Sequence, residues 1–221
     1  MKFFNITLFN SMAIILLTVS LFALSAPSFT QDYKVKKVGK AFSHPWGISI
    51  FDDDEVLITE RGGNLFKVNI ETGSRIKIKN LPDVFNVRQG GLLDVLIDKE
   101  SVSERNVYIC YSSKVSGGSS TTLMAGTLKE DKLISKKILF KSNNVSGSGV
   151  HFGCRLAVIN DQIFMSIGDR GNRYEAQDVN SHAGSVIRVN KYDGANRKQK
   201  AYKSWPAEVY TKGHRNPQGM A

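Results

Sequence analysis

The chain has 221 residues, 41% of them hydrophobic and 23% charged, a balance that supports a buried core and excludes a disordered chain. Thirty Lys and Arg face 20 Asp and Glu, a formal charge of +10, yet the charges are spread along the chain without a helix-turn-helix, zinc-finger or RNP-like pattern, which argues against a nucleic-acid partner. An anionic small molecule, an acidic partner protein or a plain solvated surface accounts for the basicity equally well.

Residues 1–25 read as a secretory signal peptide. Lys2 supplies the positive start, Met12 to Leu24 is apolar except for Thr18 and Ser20, and Ala23-Leu24-Ser25-Ala26 offers small residues for cleavage. An uncleaved anchor is the alternative, although the run is shorter than the ~20 residues that span a bilayer. Loss of the leader takes the charge from +10 to +9, since it holds one Lys and no acid. Either reading puts the remainder outside the cytoplasm, periplasmic or secreted, where Cys110 and Cys154 are free to pair. Whether they do stays open, because a sequence does not supply the Cα separation that a disulfide requires.

After the leader, short β-rich segments recur with turn residues between them. Val56 to Glu60, a turn at Arg61-Gly62-Gly63-Asn64, and Leu65 to Ile70 predict a hairpin closed by glycine. Further strands are predicted at Leu92–Ile97, Val107–Ser112, Leu123–Leu128, Leu133–Phe140, Leu156–Ile159, Ile163–Ile167, Ser185–Val189 and Glu208–Tyr210. No amphipathic helix of ten or more residues interrupts them, so the chain reads as all-β. A loose repeat links Glu60-Arg61-Gly62 to Asn69 with Asp169-Arg170-Gly171 to Asn190. Repeated antiparallel sheets suit a propeller, and a β-sandwich also satisfies this pattern.

The motifs are more specific. In order along the chain come His44-Pro45-Trp46-Gly47-Ile48, Thr59-Glu60-Arg61-Gly62-Gly63, Gln89-Gly90-Gly91-Leu92-Leu93-Asp94-Val95, His151-Phe152-Gly153-Cys154-Arg155-Leu156, Gly168-Asp169-Arg170-Gly171, Ala176-Gln177-Asp178 and Gly213-His214-Arg215-Asn216-Pro217-Gln218-Gly219. Together they resemble the soluble quinoprotein glucose/sorbosone dehydrogenases, which use pyrroloquinoline quinone (PQQ) to oxidise aldoses. The resemblance covers residues 33–221 and implies the N-terminal part of a six-bladed β-propeller, an incomplete ring of about three to four blades. It implies PQQ and calcium as cofactors, with the backbone ligands of the calcium downstream of residue 221. An aldose and a periplasmic electron acceptor are the implied partners; oligomeric state is left open. A half-ring would expose two apolar blade faces, so self-association and loss of turnover are expected of the chain as it stands.

The resemblance also implies roles. His151 matches the general base, a task suited to an imidazole that changes protonation near neutral pH. Arg215 and Asn216 match the pair that contacts the quinone carbonyls, where a fixed guanidinium stabilises developing negative charge. Gln89 matches a sugar contact, its amide able to donate and accept. Asp169 either orients the His151 ring or simply forms its own turn. Gln177, Asp178 and His182 share a loop with a structural or a calcium-related role. Two departures stand out: Val150 replaces an acid that touches the sugar in glucose-oxidising members, which favours a broader aldose preference, and Cys154 replaces a glycine, where its side chain is expected to crowd His151. A non-catalytic carbohydrate- or protein-binding propeller is the main alternative function, with a calcium-dependent lactonase a more distant one.

Overall fold

Among the described residues, twelve strands fall into three four-stranded antiparallel sheets, each built from strands consecutive in the chain. The first holds β1 (Pro45–Ile50), β2 (Glu55–Glu60), β3 (Asn64–Asn69) and β4 (Arg75–Lys77). The second holds β5 (Leu92–Ile97), β6 (Asn106–Val115), β7 (Gly118–Lys129) and β8 (Lys132–Lys141). The third holds β9 (Gly153–Ile159), β10 (Gln162–Ile167), β11 (Ser185–Asn190) and β12 (Val209–Lys212). This computed structural model describes residues 33–100, 105–196 and 203–220, so the expected signal peptide at 1–25 lies outside the described residues. Residues 38–221 form one unit; residues 33–37, assigned to a separate N-terminal unit, have no regular secondary structure. Among the described residues the only helical element is a single 3-10 turn at Glu175–Gln177, and no helix is long and apolar enough to cross a membrane.

The arrangement is that of propeller blades, each a meander whose first strand lies beside the first strand of the next: β1 packs against β5, and β5 against β9. Alternation along the strands explains why the middle blade is buried on both faces. Leu92, Val95 and Ile97 of β5, Val107, Ile109 and Tyr111 of β6, and Met124 and Leu128 of β7 pack with Leu57 and Leu65 of the first blade. Their neighbours of opposite phase, Leu93, Tyr108, Cys110 and Leu123, pack with Leu156, Ile163, Met165 and Ile187 of the third blade. The outer strand β8 presents Lys132, Lys136, Lys137 and Lys141, a lysine row that discourages pairing along an open edge.

The sequence repeat has a structural counterpart. Arg61-Gly62 lies in the turn joining the second and third strands of the first blade, and Arg170-Gly171 in the connection joining the second and third strands of the third. His44, Gln89 and His151 each precede a first strand, while Asp169 follows a second strand and Arg215 a fourth. In an antiparallel meander all of these positions fall at one end of the blades.

Cys110 of β6 and Cys154 of β9 form a disulfide with Cα atoms 5.6 Å apart, joining the second and third blades. The buried Lys191 ammonium, 3.0 Å from Asp98 and 2.7 Å from Glu100, joins the same two blades.

Candidate active site

The His151 side chain, only 13% exposed, places Nδ1 2.6 Å from Asp169 Oδ1. A carboxylate there accepts a proton carried on Nδ1, which leaves Nε2 as the lone-pair nitrogen. Asp169 is itself fixed: Oδ1 also accepts from Gly171 N–H at 2.8 Å, and its own N–H donates to Arg215 O at 2.8 Å. The two readings of Asp169, ring partner and turn former, are thus both realised by one oxygen.

The backbone around His151 is held in conformations that L-residues rarely adopt. His151 has φ +51°, Cys154 φ +75° and Arg170 φ +56°, and such residues persist only where their surroundings over-determine them. One surrounding constraint is Gly168: a Cβ there would lie 2.0 Å from His151 O, so the segment leading to Asp169 approaches His151 closely only because this residue lacks a side chain. Cys154 does not crowd His151. Its side chain turns into the core to meet Cys110, and its backbone occupies a left-handed position that a glycine would adopt without cost.

Gln89 reaches the same turn by donating its backbone N–H to Gly149 O and accepting His151 N–H on Oε1 at 2.8 Å. Its oxygen is therefore engaged, and its NH2 is the group left for a ligand. Asn216 behaves alike: Oδ1 accepts Gly153 N–H at 3.1 Å, leaving Nδ2 to donate. Arg215 is exposed and lines a cavity of about 480 Å³ with Asp169, Arg173, Tyr174, Gln177 and His214. Two guanidinium groups and an imidazole beside this space, against the single Asp169 carboxylate, suit an anionic ligand.

The loop containing Gln177, Asp178 and His182 divides by role. Gln177 lines the cavity, and Asp178 Oδ1 accepts Asn180 N–H at 2.9 Å. His182 is a buried brace whose Nδ1 accepts Asn143 N–H at 3.0 Å while Nε2 donates to Glu208 at 2.8 Å. Burial holds its pKa below the ordinary histidine value despite the Glu208 carboxylate. Among the described residues no group of three or more His, Cys, Asp or Glu is placed to hold a metal ion.

Two further residues at this end of the blades have no local sequence signal. Asp94 lies in the apolar strand β5, where its carboxylate accepts from Arg155 Nη1 at 2.9 Å and Leu156 N–H at 2.8 Å. Arg155 stacks over Trp46 with 4.6 Å to the ring and donates to Gln218 O, tying the first blade to the segment after β12. Burial pushes the Asp94 carboxyl up to about 6, against the pull of Leu156 N–H and Arg155. A raised folded-state pKa means the native form binds the extra proton between about pH 4 and 6, so this residue's contribution falls as pH rises through that window. In urea titrations the wild type should lose on the order of 1–3 kcal/mol relative to Asp94→Asn between pH 4 and pH 7; a constant difference across that range would refute the assignment. The second residue is Arg170, whose buried guanidinium contacts the loop before His151.

Three sheets of this form, with a histidine–carboxylate pair and an arginine at one end, are blades of an incomplete propeller. Residues 42–221 match the family model for glucose/sorbosone dehydrogenases, and the chain belongs to that family. It is 31% identical over 188 residues to the aldose sugar dehydrogenase YliI of Escherichia coli K12, covering 80% of this chain and 50% of the relative. Identity to quinoprotein glucose dehydrogenase B of Acinetobacter calcoaceticus is 25% over 236 residues, covering 93% of this chain and 48% of the relative. The chain thus spans about half the length of these curated relatives. The soluble aldose sugar dehydrogenase of Escherichia coli in its apo form superposes with a TM-score of 0.74 at 30% identity, over 81% of this chain and 54% of that one. The PQQ-bound aldose sugar dehydrogenase of Streptomyces coelicolor gives a TM-score of 0.70 at 23% identity, over 82% of this chain and 54% of that one, a likeness of fold.

Proposed function

We propose that this chain supplies the base and the quinone-facing arginine of a PQQ-dependent aldose dehydrogenase that oxidises the anomeric CH–OH to a lactone. The observation that carries the reading is the His151–Asp169 pair at 2.6 Å, set beside a cavity lined by Arg215. Asp169 holds the Nδ1 proton and so presents Nε2 as the acceptor for the anomeric hydroxyl proton. As that proton moves to His151, the carbon–oxygen double bond forms and the carbon-bound hydrogen leaves as hydride. PQQ, when bound, supplies the two-electron acceptor for that hydride. Arg215 offsets the negative charge that accumulates on the acceptor, Asn216 Nδ2 is free to donate to it, and Gln89 NH2 is free to donate to a sugar hydroxyl.

Calcium is proposed as the second cofactor, on ligands other than the described side chains. Val150, apolar beside the base, favours a broad aldose preference over glucose alone. The leader and the Cys110–Cys154 disulfide support a periplasmic or secreted setting with an electron acceptor from the same compartment.

The direct test is titration of the full-length protein with PQQ and calcium, following dye reduction with a panel of aldoses. Reduction that requires both cofactors is expected; no PQQ binding would reject the proposal. Arg215→Ala should lower kcat by about 10²-fold or more, since it removes a charge aimed at the developing anion, and should weaken PQQ binding as well. An unchanged single-turnover rate of quinone reduction would remove Arg215 from that role.

A further inference from the structure

We propose that Arg170 is a positioning residue for His151, a buried cation that grips the loop on both sides of the base and fixes the His151–Asp169 hydrogen bond. The inference rests on the reading of His151 as base, and one arm of its test does not.

Arg170 is 2% exposed, among the largest fully buried side chains of the molecule. Its guanidinium donates from Nε to Val150 O at 3.0 Å, from Nη1 to Ser119 O at 3.0 Å, and from Nη2 to Ser119 Oγ at 2.9 Å and Ser146 O at 3.4 Å. The group lies over the Phe152 ring, 3.8 Å from its centroid. Its backbone adds two contacts, Ser148 Oγ donating to Arg170 O at 2.5 Å and Arg170 N–H to His151 O at 3.4 Å. One residue therefore touches Ser146, Ser148, Val150, His151 and Phe152, the segment that delivers the base, and anchors it to Ser119 on β7.

The chemistry of this contact set points to positioning. Its hydrogen-bond partners are all uncharged oxygens, so no carboxylate compensates the cost of burial, which lowers the Arg170 pKa to about 10 and still leaves it cationic at neutral pH. Burying a charge in this way is costly unless each donor is directed at an acceptor. The planar fork does this at four acceptors at once, which a lysine with its compact ammonium could not reproduce. Arg170 also immediately follows Asp169, so the side chain that holds the base's loop and the carboxylate that orders its ring are adjacent on one left-handed turn.

The test combines a spectroscopic and a kinetic readout on the full-length protein. In the wild type the short bond to Asp169 should give a deshielded Nδ1–H proton resonance, assigned by its loss in His151→Gln. Arg170→Lys should shift or broaden that resonance in a protein that still melts cooperatively, and lower kcat for glucose by about 10²-fold with KM within twofold, the loss expected when a reacting group moves by about 1 Å. Ser119→Ala, which removes one anchor and keeps the cation, should give an intermediate loss of about tenfold; it carries the test alone if Arg170→Lys fails to fold. An unaltered resonance and kcat in a folded variant would overturn the proposal. A lost resonance with unchanged kcat would uphold the positioning role and overturn His151 as base.

Discussion

His151→Gln in the full-length protein should lower kcat by 10²–10⁴-fold, the range a positioned general base contributes, while PQQ affinity stays within about twofold. Glutamine occupies nearly the same volume and can donate to Asp169 from its amide, so Asp169 keeps its contacts to Gly171 N–H at 2.8 Å and, through its own N–H, to Arg215 O. The amide has no lone-pair nitrogen that can accept a proton near neutral pH. The anomeric hydroxyl must then lose its proton to water while the hydride leaves, and the coupled event becomes slow. Stopped-flow reduction of the bound quinone by excess aldose isolates this step from electron release. Residual rates within tenfold of wild type would show that proton abstraction lies elsewhere. Intact affinity separates this result from a general collapse of the site, because the cavity side chains, Arg215 among them, are untouched.

How much of this was legible in the sequence depends on how each residue meets its neighbours. The β2–β3 hairpin was plain because apolar alternation and a glycine turn are local, and the structure pairs Glu60 with Asn64 as that turn requires. Strand β1 is hidden in the sequence: Pro45 and Gly47 discourage a strand, yet Pro45 is tolerated as a first residue, and Gly47 is needed because a Cβ would lie 2.7 Å from Asp94 Oδ1. Strands β6 and β7 run beyond the expected limits through Ser113 and Ser119 to Thr122. Those residues look like loop, but they are buried with their hydroxyls satisfied by Ser142 O, Ser146 O, Phe152 O and one another.

The site divides in the same way. His151, Asp169 and Arg215 each sit in a short segment with its own pattern, and the structure brings His151 against Asp169 and sets Arg215 beside the same cavity as Asp169. Arg170 and Asp94 carry no local signal of a role, because their side-chain hydrogen-bond partners are 20 to 62 residues away. The signal that could have found Asp94 is a lone carboxylate in the apolar run Leu92 to Ile97, which has to be paired if it is buried. Gln89 and Asn216 were expected to face ligands; each also spends its side-chain oxygen on the backbone of the His151 segment. That shared use makes Gln89, Asn216 and the His151 segment parts of one hydrogen-bonded unit.

The same segment ends at Cys154, and its disulfide should dominate the stability of the second and third blades. Cys110 and Cys154 are fully buried and 44 residues apart, a closure worth about 4 kcal/mol in the chain-entropy account of cross-links. Cys110→Ala should therefore cost about that much in a urea titration, and a reductant that reaches the bond after unfolding should lower the wild-type midpoint toward the variant's. Residue 154 offers a sharper discrimination. At φ +75° an L-residue carries a conformational cost of about 1–2 kcal/mol that glycine avoids. In a Cys110→Ala background, Cys154→Gly should be more stable than Cys154→Ala by about 1 kcal/mol, although it removes more apolar surface from a buried site. Equal stabilities would mean that the backbone relaxes to another conformation once the bridge is gone. The expected order would mean that a residue with a side chain is retained at a left-handed position because the bond it makes to the second blade outweighs its strain, three residues from His151.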